Sequence, residues 1–120
     1  MAKDDYYVVV YKILLYLYAC LKRTILFDQD TYDTAIGKES INPEYLSDIY
    51  VMMQNEGLIE GVKYKTAWGG NKIFLSSERD ISITPSGIEY LSENSTMAKV
   101  KDFLLKKVGI IADLITIMHL

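Results

Sequence analysis

Catalysis needs particular side chains at particular spacings, and this 120-residue chain offers few of them. Its single histidine, His119, is the penultimate residue of an apolar segment, a place that suits a helix end better than proton transfer. The single cysteine, Cys20, lies in an apolar run, so one chain can form neither a disulfide framework nor a CxxC metal site. Its expected role is buried packing, with a redox thiol as the weaker reading. Carboxylates pair at Asp4-Asp5 and at Asp28 and Asp30, but both sets stand where helices need N-caps. Capping is therefore favoured over a catalytic dyad. Gly69-Gly70 belongs to a turn between strands rather than to the approach to a helix, so it is poorly placed to cradle a phosphate. No HExxH, Walker A, GxGxxG or GxSxG pattern occurs. These residues argue against an enzyme and imply neither a metal nor a cofactor.

Recognition is the chemistry left. Lys63, Lys65 and Lys72 bracket Trp68, an arrangement that can straddle a phosphate backbone. The competing reading makes them solvated strand positions with Trp68 packed on their stems, and the residues weigh the two equally. Further positive charge lies at Lys22-Arg23 and at Lys99, Lys101, Lys106 and Lys107. Between Asp28 and Glu56, by contrast, seven acidic residues face Lys38 alone, a local charge of −6. The net charge of −3 supplies no global field toward nucleic acid or anionic lipid.

The elements that must position these residues follow from periodicity and caps. A first helix is expected from residue 4 to about 23, capped by Asp4 or Asp5. Tyr6, Val10, Ile13, Leu14, Leu17 and Leu21 share one face, and Val8, Leu15 and Ala19 make a second apolar side next to Lys12. A helix apolar on two sides needs two covers. The apolar run Tyr6 to Leu21 is too short for a span of ~20 residues, so no membrane is implied. With no secretory signal, the cytoplasm is expected and Asn94-Ser95-Thr96 reads as a polar break between helices. A short helix from about Thr31 to Ile36 ends at Gly37. A third, with Asn42 as cap and Pro43 in its first turn, buries Leu46, Ile49, Tyr50 and Met53 and turns Glu44, Asp48, Val51 and Asn55 outward. Gly57 takes the left-handed position at its end, with Leu58 folding back on Met53. Strands are expected at Val62 and Tyr64, at Lys72 to Leu75 and at Ile81 and Ile83, with Ser76 to Asp80 as polar loop. Thr84-Pro85 starts another helix, and a last one is expected from about 97 to 120.

Helix, short helix, helix, strand, turn-rich loop, strand, helix is the order of a winged helix-turn-helix. The expectation is one α+β domain over 1–120 with an additional long C-terminal helix. Asn55-Glu56-Gly57-Leu58-Ile59-Glu60-Gly61 and Ile81-Ser82-Ile83-Thr84-Pro85-Ser86-Gly87-Ile88-Glu89-Tyr90-Leu91 resemble corresponding stretches of MarR-like and PadR-like regulators. Asp4-Asp5-Tyr6 through Leu17-Tyr18-Ala19-Cys20-Leu21, Tyr45 to Gly61 and Ile81 to Asn94 are more closely similar to the YjcQ-like winged-helix family of Gram-positive bacteria and their prophages. The resemblance implies the fold and, by fold-level analogy, a small regulator of phage or prophage type that binds double-stranded DNA.

On that expectation the DNA contacts are Lys38, Ser47, Asn55, Lys63, Lys65, Trp68 and Lys72. Ser47 and Asn55 would read base edges, with Glu44 or Asp48 accepting from cytosine. The acidic third helix suits a duplex poorly and a protein partner better, so a docking module that binds no DNA is the alternative. A homodimer is also expected, seamed by Val100, Leu104, Ile111, Leu114 and Met118 and assisted by the first helix. The same residues would equally serve a last helix folded back on its own chain.

Overall fold

The computed structural model describes residues 5–120. Its architecture is built around α1 (Asp5–Leu21), whose Val9, Val10, Tyr11, Ile13, Leu14, Leu15, Tyr16, Leu17 and Ala19 are all buried. Those positions run round the whole helix, so α1 is a core element with neighbours on every side. Leu21, expected to be buried, is instead 51% exposed, because the helix ends there and the chain reverses through Arg23 at a positive φ of 62°. Asp4, one of the two proposed caps, lies outside the described residues.

α2 (Gln29–Ile36) begins two residues earlier than its apolar pattern indicated, because Asp28 is the cap that engages. The Asp28 carboxylate accepts from the Thr31 amide at 2.9 Å and from its hydroxyl at 2.7 Å. Gly37, in the left-handed conformation, closes α2 and leads through a 3-10 turn at Lys38–Ser40 to α3 (Pro43–Asn55). Asn42 caps α3 through the Glu44 amide at 2.8 Å. At its far end the Leu58 amide donates to the Met53 carbonyl and the Gly57 amide to the Gln54 carbonyl, the paired bonds of a Schellman ending.

Four short strands follow: β1 (Ile59–Glu60), β2 (Tyr64–Thr66), β3 (Lys72–Phe74) and β4 (Ser82–Ile83). β1 pairs antiparallel with β4, Ile59 opposite Ile83, and β2 pairs antiparallel with β3 as a separate hairpin. Val62 is buried but precedes β2, and its backbone is held by the Gln54 side-chain amide, which donates to the Val62 carbonyl and accepts from its N–H.

Thr84 joins the β1–β4 pair to α4 (Pro85–Glu93). Its amide donates to the Leu58 carbonyl, its hydroxyl to the Gly57 carbonyl, and its oxygen accepts from the Gly87 amide. Gly87 is buried so tightly that a Cβ there would run into the Leu58 carbonyl oxygen. α5 (Ser95–Leu105) is capped by Asn94.

The single long C-terminal helix expected from about 97 is not what forms. The chain breaks after Leu105, passes through Gly109 at a φ of 150°, and starts α6 (Ile110–Met118). Glycine makes the break accessible. Its physical reason is burial: α5 and α6 pack on each other and both pack on α1, which brings Ile111, Leu114, Ile115 and Met118 out of water. The second cover that α1 required is its own chain. Among the described residues the fold is thus α+β, with six α-helices around α1 and two small antiparallel sheets. None of these helices is long and apolar enough to cross a membrane.

Candidate nucleic-acid interface

The β2–β3 hairpin carries the basic cluster, and its turn explains its tip. Ala67 and Asn71 close the turn with a 2.7 Å bond from the Ala67 amide, and Gly69 and Gly70 both take positive φ. Non-glycine residues there would be strained. Trp68 stands at this tip completely exposed, so it does not pack on the lysine stems. The register places Lys65 opposite Ile73 on one face of the hairpin, with Tyr64 opposite Phe74 and Thr66 opposite Lys72 on the other. The lysines therefore divide between two faces. Lys63 and Lys65 are open to solvent, whereas Lys72 is half-buried, its ammonium 3.4 Å from the Thr66 hydroxyl and 5.9 Å from the Tyr64 ring centroid. At the hairpin base Ser76 bonds the Lys63 amide and the Gly61 carbonyl. Phe74 stacks on Tyr50 of α3 with ring centroids 5.1 Å apart, fixing the hairpin against the helix.

α3 presents a different surface. Glu44, Asp48, Met52, Asn55 and Glu56 are exposed, and no Lys or Arg joins them. Val51, expected to face outward, is buried. α3 meets α1 as well as β1 and β3, which widens its buried arc beyond the stripe that periodicity marks. Ser47 is half-buried and donates its hydroxyl to the Pro43 carbonyl at 3.1 Å, so it is partly committed to its own helix. Asn55 remains open in the last turn.

Lys38 does not belong to this surface as a free cation. Its ammonium lies 2.8 Å from Glu78 and 3.3 Å from Asp33. Burial alone would lower its pKa, but those two carboxylates outweigh burial and raise it. Glu78 is the residue that local sequence reading missed. Within a stretch expected to be polar loop it is 7% exposed, and it accepts from Lys38, from the Gln29 amide at 2.8 Å and from the Tyr50 hydroxyl at 2.5 Å. Tyr50 in turn shares a 2.6 Å hydrogen bond with Tyr32. These bonds tie α2 and α3 to the chain leaving the hairpin. No local pattern separates Glu78 from Asp80, because its partners lie 28 to 49 residues away.

A family model described as YjcQ protein matches residues 11–109. The chain belongs to the YjcQ family. No curated protein and no solved structure matches it.

The matched stretch of this YjcQ chain contains α2, α3, the hairpin and Glu78, and stops before α6. The five residues expected to seam a dimer lie on both sides of that limit: Val100 and Leu104 on α5, Ile111, Leu114 and Met118 on α6. All five are buried within the single chain, each at most 7% exposed. A seam made of them would have to open the core.

Proposed function

We propose that this YjcQ protein is a small cytoplasmic DNA-binding protein, regulator-like and of phage or prophage type, and not an enzyme. In this reading the chain is a winged helix-turn-helix, with the β2–β3 hairpin as its wing and α3 in the place of the recognition helix. The observation that carries it is Trp68, wholly exposed at the tip of a hairpin bearing Lys63, Lys65 and Lys72. An indole left in water is a large apolar surface with a ready use, stacking or wedging against bases while flanking cations neutralise phosphates. Lysines on both faces suit a hairpin that enters a groove edge-on, with a phosphate backbone on each side. α3, without a cation, modulates affinity through Asn55 and Ser47 and does not supply most of it.

Trp68 is the only tryptophan, so its fluorescence reports contact at the tip directly. Titration with mixed duplex fragments at low salt is expected to quench it. Replacing Lys63, Lys65 and Lys72 together by Ala is expected to weaken binding severely and to flatten the salt slope by up to about three units. Wild-type protein that fails to bind duplex at low salt overturns the reading.

The acidic face of α3 favours a second reading, docking to a protein with a basic groove. Asp48 and Glu56 stand one turn to either side of Met52, which is 46% exposed, with Glu44 one turn further along the same row. Under that reading Glu44→Lys with Asp48→Lys abolishes partner binding, and the triple lysine variant leaves it intact.

A further inference from the structure

Lys12 occupies the middle of α1 between Tyr11 and Ile13, which are 1% and 0% exposed, and is itself half-buried. Among the described residues no carboxylate stands within ion-pair distance of its ammonium, and its side chain has no hydrogen-bond partner; the ion pairs of the fold are those of Lys38. Burial pushes its pKa down. A cation partly withdrawn from water without a counter-charge costs free energy, and a core position gains nothing from one.

The surroundings of Lys12 supply a use for it. Its side chain lines two cavities. One, of about 320 Å³, is bounded by Ala35, Leu104, Ile111 and Lys107 among others. The second, of about 260 Å³, has walls of Val8, Val9, Ile36, Ile41 and Phe103, with Asp5 also present. Lys107 of the first cavity lies 5.0 Å from the ring centroid of Phe103 in the second. The second cavity, apolar with Lys12 as its one cation, is complementary to a molecule with an apolar body and one negative charge. Asp5 repels further negative charge, which disfavours polyanions such as nucleotides.

We propose that Lys12 anchors a binding site for a small organic monoanion, a carboxylate with an apolar chain, whose head group pairs with the ammonium while its chain lies along Val8, Val9, Ile36, Ile41 and Phe103. The site uses α1, α2, α5 and Ile41 in the segment between α2 and α3, and shares no residue with the β2–β3 hairpin, so it stands or falls independently of DNA binding.

Octanoate, with 1-octanol as an uncharged probe of the same chain length, tests this on the full chain by titration calorimetry and amide NMR. Octanoate is expected to bind more tightly than 1-octanol and to shift the amides of Val9, Lys12, Ile36 and Ile41. Lys12→Met replaces the ammonium with a neutral, unbranched side chain one atom shorter, and is expected to weaken octanoate by about tenfold or more while leaving 1-octanol within about twofold. Lys12→Gln, polar but uncharged, is expected to behave as Lys12→Met does. The proposal is overturned if the wild type binds neither probe, if it binds both equally, or if the uncharged variants bind octanoate as the wild type does.

Discussion

Glu78 is held by donors from three parts of the chain, and its removal tests how much such a network contributes. Glu78→Ala removes the acceptor of the buried Tyr50 hydroxyl and leaves the Lys38 ammonium with Asp33 as its one carboxylate partner. The expected loss is on the order of 2–4 kcal/mol, read as a lower denaturant midpoint at unchanged m-value. Glu78→Gln keeps an acceptor but no counter-charge, and is expected to lose roughly half as much. Buried tyrosines, Tyr32 and Tyr50 of this network and Tyr11 of α1, give the fold a pH dependence. Burial, with Asp102 adding, pushes Tyr11 up to about 12, and burial drives Tyr32 and Tyr50 higher still. Their unfolded-state pKa is 10.0, so the folded chain keeps protons that the unfolded chain releases above that pH. Stability is complete below pH 10 and falls as pH rises beyond it, by up to about 1.4 kcal/mol per pH unit for each such tyrosine. The raised Lys38 acts in the same direction, its contribution being lost at still more alkaline pH. Tyrosinate absorbance should therefore rise together with loss of helical circular dichroism. Ionisation of all ten tyrosines near pH 10 with the fold intact would contradict this.

At the scale of elements, two glycines punctuate the joins between helix and strand for different reasons. Gly57 has a φ of 79° and open space where a Cβ would stand, so its requirement is backbone conformation alone. Gly57→Val is expected to cost about 1–3 kcal/mol, and Gly57→Asn, which tolerates the left-handed region, clearly less. Gly87 has ordinary dihedrals but no room, because a Cβ would meet the Leu58 carbonyl oxygen and crowd Ile83. Even Gly87→Ala must push α4 away from the β1–β4 pair, and it is expected to cost more than Gly57→Ala in a thermal melt. The reverse order would place the close contact elsewhere. The caps Asn42 and Thr84 and the Schellman bonds after Met53 were legible because each is a local rule acting over a few residues. The break between α5 and α6 was not, since Lys106 to Gly109 interrupts an apolar pattern that reads as one continuous helix.

For the whole molecule, α5 and α6 close the core over α1. Leu104→Glu with Ile111→Glu puts two carboxylates where each wild-type side chain is at most 7% exposed. The expected result is loss of cooperative unfolding and a hydrogen-exchange-labile α1, not a folded protein with an altered mass in sedimentation. A folded double variant of lower mass would instead restore the dimer seam. The residues alone establish that α1 is apolar on more than one side and needs two covers, that Asn42, Gly57 and Thr84 mark helix ends, and that lysines flank Trp68 while α3 carries none. All of that follows from periodicity and from residue chemistry within one or two turns. Long-range packing sets what covers α1, that Val51 is buried, that Trp68 packs on nothing, and that Lys38 is engaged by Glu78. Those outcomes depend on contacts between residues far apart in the chain, where hydrophobic burial chooses among partners that local patterns leave equivalent.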